Sequence, residues 1–180
     1  MKAASKRHLR AFLDNTAGIA AVEFALIAPV MISMYFGSSE LCNLLLADRK
    51  VTNVTAATTD LVAQEMQISD QEMTDIFDAS SAVMEPYSIT SLQIVVTSVV
   101  EDNNNNVTVA WSDGYHRAAY AVGTPYVLPN GIISPGGSVI VTEVYYQYVS
   151  PIGQFWTNGF NVNDKFYQKP RRTAQIARVS

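Results

Sequence analysis

Apolar residues fall into three regimes along this chain. From Ile19 to Phe36 they are nearly continuous, with Glu23 the one charge; from Leu44 to Val62 they recur as a stripe; from Ile89 onward they gather in β-branched runs. The first regime predicts a helix suited to lipid. At about 1.5 Å rise per residue its eighteen residues cover roughly 27 Å, close to the ~30 Å hydrocarbon core of a bilayer. No break follows, because Gly37-Ser38-Ser39-Glu40 leads into Leu41-Cys42-Asn43-Leu44, so the helix is expected to continue beyond the membrane.

The second regime, residues 41–68, carries Leu44, Val51, Val54, Leu61 and Val62 with alanine and threonine between them. That pattern predicts a long helix with one narrow apolar stripe. Its threonines and valines lower helix propensity, so the helix must depend on packing. Ser69-Asp70-Gln71-Glu72 then has the form of a capping box. The helix it opens places Met73, Ile76, Phe77, Val83 and Met84 on one face and is ended by Pro86.

The third regime predicts strands. Ile89–Val100 and Val107–Trp111 flank the polar turn Glu101–Asn106 and read as a hairpin. Residues 112–137, rich in Gly, Pro, Tyr and Ser, predict irregular chain with a short helix at 115–121. Gly136-Gly137 turns the chain into Ser138–Val149, the clearest strand, which Pro151 breaks. Alternation within this strand puts Tyr146 and Tyr148 on one face and Tyr145 on the other. Helices first and antiparallel strands later predict an α+β fold.

Charge adds an orientation. Residues 1–18 hold Lys2, Lys6, Arg7 and Arg10 against Asp14, a basic flank that the positive-inside rule places in the cytoplasm, with the remainder outside it. A small-x-small signal-peptidase site does not follow the apolar run before Glu40, which favours a permanent anchor over an ordinary cleaved signal. Residues 19–156 carry fourteen acidic and three basic residues, the latter Arg49, Lys50 and Arg117. Such an acidic body argues against nucleic acid as a partner. Residues 157–180 carry five basic residues and one acidic; this tail either contacts an acidic surface or lies in solvent. The expected organisation is a basic leader (1–18), a transmembrane segment (19–40), a helical stem (41–86) and an antiparallel β-rich periplasmic domain (87–180). The stem and the membrane segment form one long helix, packed through its outer half on the sheet, whose edges face neighbours.

Candidate chemistry is sparse. The lone cysteine, Cys42, excludes an internal disulfide and leaves an intermolecular bridge or a small packed hydrophobe, with lipid attachment disfavoured because no lipoprotein cleavage context precedes it. His8 and His116 are the only histidines, too few for a zinc centre in the exported part. The chain has no H-E-x-x-H, G-x-S-x-G or P-loop sequence. A structural protein rather than an enzyme is expected, with no catalytic residue, metal or cofactor; Tyr115, His116 and Arg117 read as loop surface.

Glu23 remains. A carboxylate at membrane depth costs about 2.5–3.5 kcal/mol on insertion scales. One reading puts it near the cytoplasmic interface, within reach of headgroups or Arg10. The other starts from its spacing: were the chain cut after Gly18, Ile19 would be residue one and Glu23 residue five, on one helix face. A new α-amino group would then lie a turn from the carboxylate, or pair with the carboxylate of a neighbouring subunit. Pro29 likewise has two readings, a bend used when helices pack into a filament or a proline tolerated in a membrane helix.

The ordered set of a basic leader, Gly18, Glu23 and Phe24 at the fifth and sixth positions after it, Pro29 and the closing Gly37 and Glu40 resembles the type IV prepilin signal. The longer string GIAAVEFALIAPVMISMYFGSSEL resembles the TadE-like family, minor pseudopilins of tight-adherence (Tad or Flp) pilus systems; the resemblance is strongest over residues 16–65. It implies cleavage between Gly18 and Ile19 by a prepilin peptidase, with Glu23 and Phe24 as assembly residues and Pro29 as a possible helix kink. The implied partners are other pilins or pseudopilins, the pilus assembly machinery, the peptidase and membrane lipid. The implied location is a bacterial inner membrane, single-pass, with a periplasmic C-terminal domain that serves adhesion through a pilus. Related TadG-like proteins keep a similar segment as a plain anchor, and an uncleaved single-pass protein with a periplasmic binding domain is the alternative.

Overall fold

The computed structural model describes residues 18–129, 131–150 and 159–179. In chain order the elements are α1 (Ile19–Gln64), β1 (Gln67–Ile68), α2 (Asp70–Ala82), β2 (Gln93–Glu101), β3 (Val107–Tyr115), β4 (Ser138–Tyr148), β5 (Phe160–Gln168) and β6 (Ala177–Arg178). The fold is α+β, with a long N-terminal apolar helix and an antiparallel four-stranded sheet in the order β3-β2-β4-β5. By its internal contacts the chain divides into two compact units between Cys42 and Asn43.

In the unit from Asn43 onward, one core joins α1, α2 and the inner face of the sheet. Ala47, Val51, Val54 and Val62 of α1 and Met73 and Phe77 of α2 meet Ile94, Val96, Ile140, Val144, Tyr146 and Tyr148 of the strands. These strand positions share a face because cross-strand neighbours such as Ile94 and Val144 are paired in register. Thr55, Thr58 and Thr59 of α1 join the buried side without unmet polar groups. Thr55 Oγ1 donates to Val51 O at 2.8 Å and Thr59 Oγ1 to Thr55 O at 2.6 Å. This back-bonding to the preceding turn lets a weak helix former be buried in a helix.

The capping box at α2 is present. Ser69 Oγ accepts from the Glu72 N–H at 3.3 Å, and the Glu72 carboxylate accepts from the Ser69 N–H at 2.7 Å. These bonds from Ser69 hold the Glu72 carboxyl below its ordinary range. Met73 and Phe77 are buried and Ile76 packs against the core, as their spacing predicts.

Several boundaries differ from expectation. α1 ends at Gln64 instead of 68, because Gln67 and Ile68 are drawn into a parallel pair with Ala177 and Arg178. α2 ends at Ala82, and Val83, Met84 and Glu85 donate to carbonyls three residues back, tightening the chain before Pro86. The strand expected from Ile89, β2, starts at Gln93, four residues later than its β-branched composition suggests. The short helix expected at 115–121 is absent. Tyr115 closes β3, His116 adopts φ 55°, and the chain returns along the β3 edge, with Gly123 N donating to Val109 O at 2.8 Å and Tyr126 N to Val107 O at 3.0 Å. β5 was not foreseen as a strand; its residues pair with β4 from Ile140↔Gln168 to Tyr148↔Phe160.

The outer face of the sheet carries a smaller cluster, Val99, Val139 and Val141, covered by Tyr126, Leu128, Ile132 and Ile133 of the connection between β3 and β4. Beside it the Glu143 carboxylate is nearly buried. Lys165 Nζ lies 2.6 Å from its Oε1, Tyr120 donates to Oε2 at 2.8 Å and Tyr126 to Oε1 at 3.2 Å. Burial, with the adjoining carboxylate, pushes the Tyr120 phenol up to about 12. Burial opposes the charge on Lys165, but its bonds to Glu143 and Tyr126 outweigh this and hold its pKa above the usual value.

The basic tail contacts the acidic body. Arg171 pairs with Asp60, and Arg178 forms a fork to Asp113, Nε to Oδ2 at 2.8 Å and Nη2 to Oδ1 at 3.1 Å, while also reaching Asp70. The bonds to Asp113 raise the pKa of Arg178. Trp111 Nε1 donates to Ile176 O at 2.8 Å and fixes the same tail over the core.

Candidate assembly segment

α1 begins immediately after Gly18, and its first half exposes what a water-soluble helix hides. Phe24 is 69% exposed, Leu26 71% and Met34 70%, and Ile19, Val22, Ile27 and Val30 are also exposed. An eighteen-residue window here has mean hydropathy 2.0 and none of it is buried. The helix is therefore long and apolar enough to cross a membrane, and its uncovered side chains match a lipid solvent better than water.

The residues singled out by sequence sit at the start of this helix. Gly18 has open space where a side chain would stand. Ile19 opens the helix, and Glu23 follows one turn later on the same side. Glu23 is exposed and makes no hydrogen bond or ion pair among the described residues. In the uncut chain the Ile19 nitrogen is an amide and carries no charge to offer it. Arg10 and the rest of the leader before Gly18 lie outside the described residues.

Pro29 lies within α1, which continues on both sides of it. Proline supplies no N–H to the preceding turn. Ser33 Oγ donates to Pro29 O at 2.8 Å, an added bond from the following turn. At the far end of the apolar run the pattern changes. Glu40 is 1% exposed, and neither carboxylate oxygen has a hydrogen-bond partner among the described residues. Sequence marked Glu40 only as the end of the apolar run; nothing in its neighbours signals burial. Cys42 is an exposed free thiol.

Chemistry elsewhere is accounted for by packing. His116 stacks on Tyr115 with ring centroids 4.0 Å apart, and its Nδ1 lies 3.2 Å from Leu92 O. Tyr146 and Tyr148 are core residues, whereas Tyr145 lies on the outer face beneath Arg117.

The architecture is that of a protein with a membrane-type N-terminal helix leading into an α+β body. The model of the TadE-like protein family matches residues 18–60, so this segment is similar to that family. The match begins at Gly18, includes Glu23, Pro29 and Glu40, and ends within α1, before the sheet. No curated protein matches the chain. No solved structure matches it.

Proposed function

We propose that this protein is a minor pseudopilin-like structural component of a Tad/Flp-type pilus, processed by a prepilin peptidase between Gly18 and Ile19. The observation that carries the reading is Glu23, a lone carboxylate one turn from Ile19 in an exposed apolar helix, inside the TadE-like segment. Cleavage would convert the Ile19 amide into an α-amino group, largely protonated below its pKa of about 8. A carboxylate in hydrocarbon gains most from a cation that is likewise removed from water. The amine of the same subunit or of a neighbour supplies that cation, and in the second case the pairing sets the axial position of one helix against the next. Phe24 and the surrounding apolar side chains then bury their exposed area against other pilins. The role is non-catalytic, and the body after the membrane segment lies in the periplasm.

The test is the intact mass and N-terminal sequence of the protein recovered from the membranes of its native host. An N-terminus at Ile19 supports the proposal. An N-terminus at Met1, or at Lys2, overturns processing and leaves an uncleaved single-pass protein of the TadG-like kind. A second expectation concerns Glu23→Ala: membrane insertion is retained and pilus assembly falls, as counted by electron microscopy. Normal piliation in that variant would remove the role given to Glu23.

A further inference from the structure

The outer face of the sheet is covered at one end and open at the other. Beyond Tyr126 and the Glu143 network lies a groove of about 500 Å³ lined by Gln93, Arg117, Tyr145, Gln147, Asn161 and Asn163, among others. The strand register explains its chemistry. Gln93 pairs with Tyr145 and Tyr145 with Asn163, forming one row across β2, β4 and β5; Gln147 and Asn161 form the next row. Rows two residues apart are separated by about 6.8 Å and strands by about 4.8 Å, so the groove floor is a grid of planar amides on the scale of one sugar ring.

Arg117 is held over this floor. Its guanidinium lies 3.8 Å from the Tyr145 ring centroid, and Nη1 donates to Gln93 Oε1 at 2.9 Å. Gly114 makes the position possible: a Cβ there would collide with the Arg117 carbonyl oxygen, so only glycine lets the chain fold back at this point. Arg117 makes no ion pair among the described residues, and none of the described residues lining the groove is a carboxylate. The side-chain amides of Asn161 and Asn163 are exposed and make no hydrogen bond among the described residues.

We propose that this groove binds a saccharide bearing a carboxylate, of the uronic acid class. The amides of Asn161 and Asn163 each offer a donor and an acceptor together, the pairing that adjacent sugar hydroxyls require. A guanidinium ordered by an aromatic ring offers a carboxylate two parallel N–H groups at reduced entropic cost. The volume lies within the range of small-ligand sites. The groove offers polar side chains over most of its lining and no apolar pocket to anchor a peptide side chain, which favours a polyhydroxylated ligand over an acidic peptide. The proposal is independent of processing at Gly18.

The test uses the full chain in detergent micelles, titrated by calorimetry with trigalacturonate, with neutral galactotriose and with tri-glutamate. Trigalacturonate should bind with Kd in the high-micromolar to low-millimolar range, about tenfold or more tighter than galactotriose. Arg117→Gln should erase that preference, and Asn161→Ala with Asn163→Ala should weaken both sugars while the melting temperature is unchanged. Absence of saturable binding to either sugar up to about 20 mM overturns the proposal. So does tri-glutamate binding as tightly as trigalacturonate and insensitive to the asparagine substitutions, which would assign the groove to an acidic peptide.

Discussion

The two halves of α1 invert the usual relation between hydropathy and burial. The first half contains Phe24, Leu26, Val30, Met34 and Tyr35, all exposed. The second half places Thr55, Thr58 and Thr59 among its fully buried residues, beside Val51, Val54 and Val62. Hydropathy therefore reports the medium each half is made for. The first half is apolar around its circumference, the pattern of a helix that lipid could contact on every side. The second half needs one stripe against a sheet, and threonine is admissible there because its hydroxyl bonds to the preceding turn.

This contrast can be broken most severely at Val54, which has no exposure. Val54→Asp puts an unpaired charge between α1 and the sheet and should cost more than about 4 kcal/mol, abolishing the cooperative thermal transition of the body. The equivalent change in the other half should act on a different observable. Val30→Asp should cost about 2.5–3.5 kcal/mol of membrane insertion, read as protein released by alkaline extraction, with the body's thermal transition unmoved. Should Val30→Asp unfold the body, the assignment of two separate media would be wrong.

Smaller effects sharpen the account of the buried half. Thr58 Oγ1 lies 2.7 Å from Val54 O and 2.8 Å from Ser80 Oγ, so it links α1 to α2. Thr58→Val keeps the shape but leaves the buried Ser80 hydroxyl without this partner, and should destabilise the body by about 1–3 kcal/mol in denaturant titrations. The smallest effect is confined to alkaline solution. Tyr120 keeps its proton more tightly when folded, with a pKa of about 12 against about 10 when unfolded. Its contribution is complete below about pH 10 and declines as pH rises toward about 12. Tyr120→Phe should therefore flatten the loss of melting temperature across that interval and change its steepness little at neutral pH.

Much of this architecture was legible because local chemistry and tertiary structure agree. Ser69 and Glu72 announce the start of α2, and the Asp102–Asn106 turn announces the hairpin: the Asp102 carboxylate accepts from the Asn104 and Asn106 N–H groups at 2.7 and 2.9 Å. β5 was hidden for the opposite reason. In FNVNDKFYQ, asparagine, aspartate and lysine are poor strand formers, and Val162 alone is buried; pairing with β4 makes it a strand. The pair β1 and β6 joins residues 110 apart and carries no local signal. The helix expected at 115–121 is absent, and just after it Gly123, Thr124 and Tyr126 bond to the β3 edge through the backbone. Within the candidate segment, spacing singles out Gly18, Glu23 and Pro29, whereas the burial of Glu40 has no signal in its sequence neighbours.

The central claim is that one helix passes from lipid into a protein core, and spin-label accessibility along α1 tests it most directly. Single labels placed in turn at residues 24, 30, 34, 45 and 61 of a Cys42→Ser background, in bilayer nanodiscs, would be probed with oxygen and a water-soluble nickel complex. The account predicts high oxygen and low nickel accessibility at 24, 30 and 34, and the reverse at 45 and 61, which are exposed outside the apolar run. Nickel accessibility at 24–34 equal to that at 45 and 61 would show the apolar half in water and contradict the account.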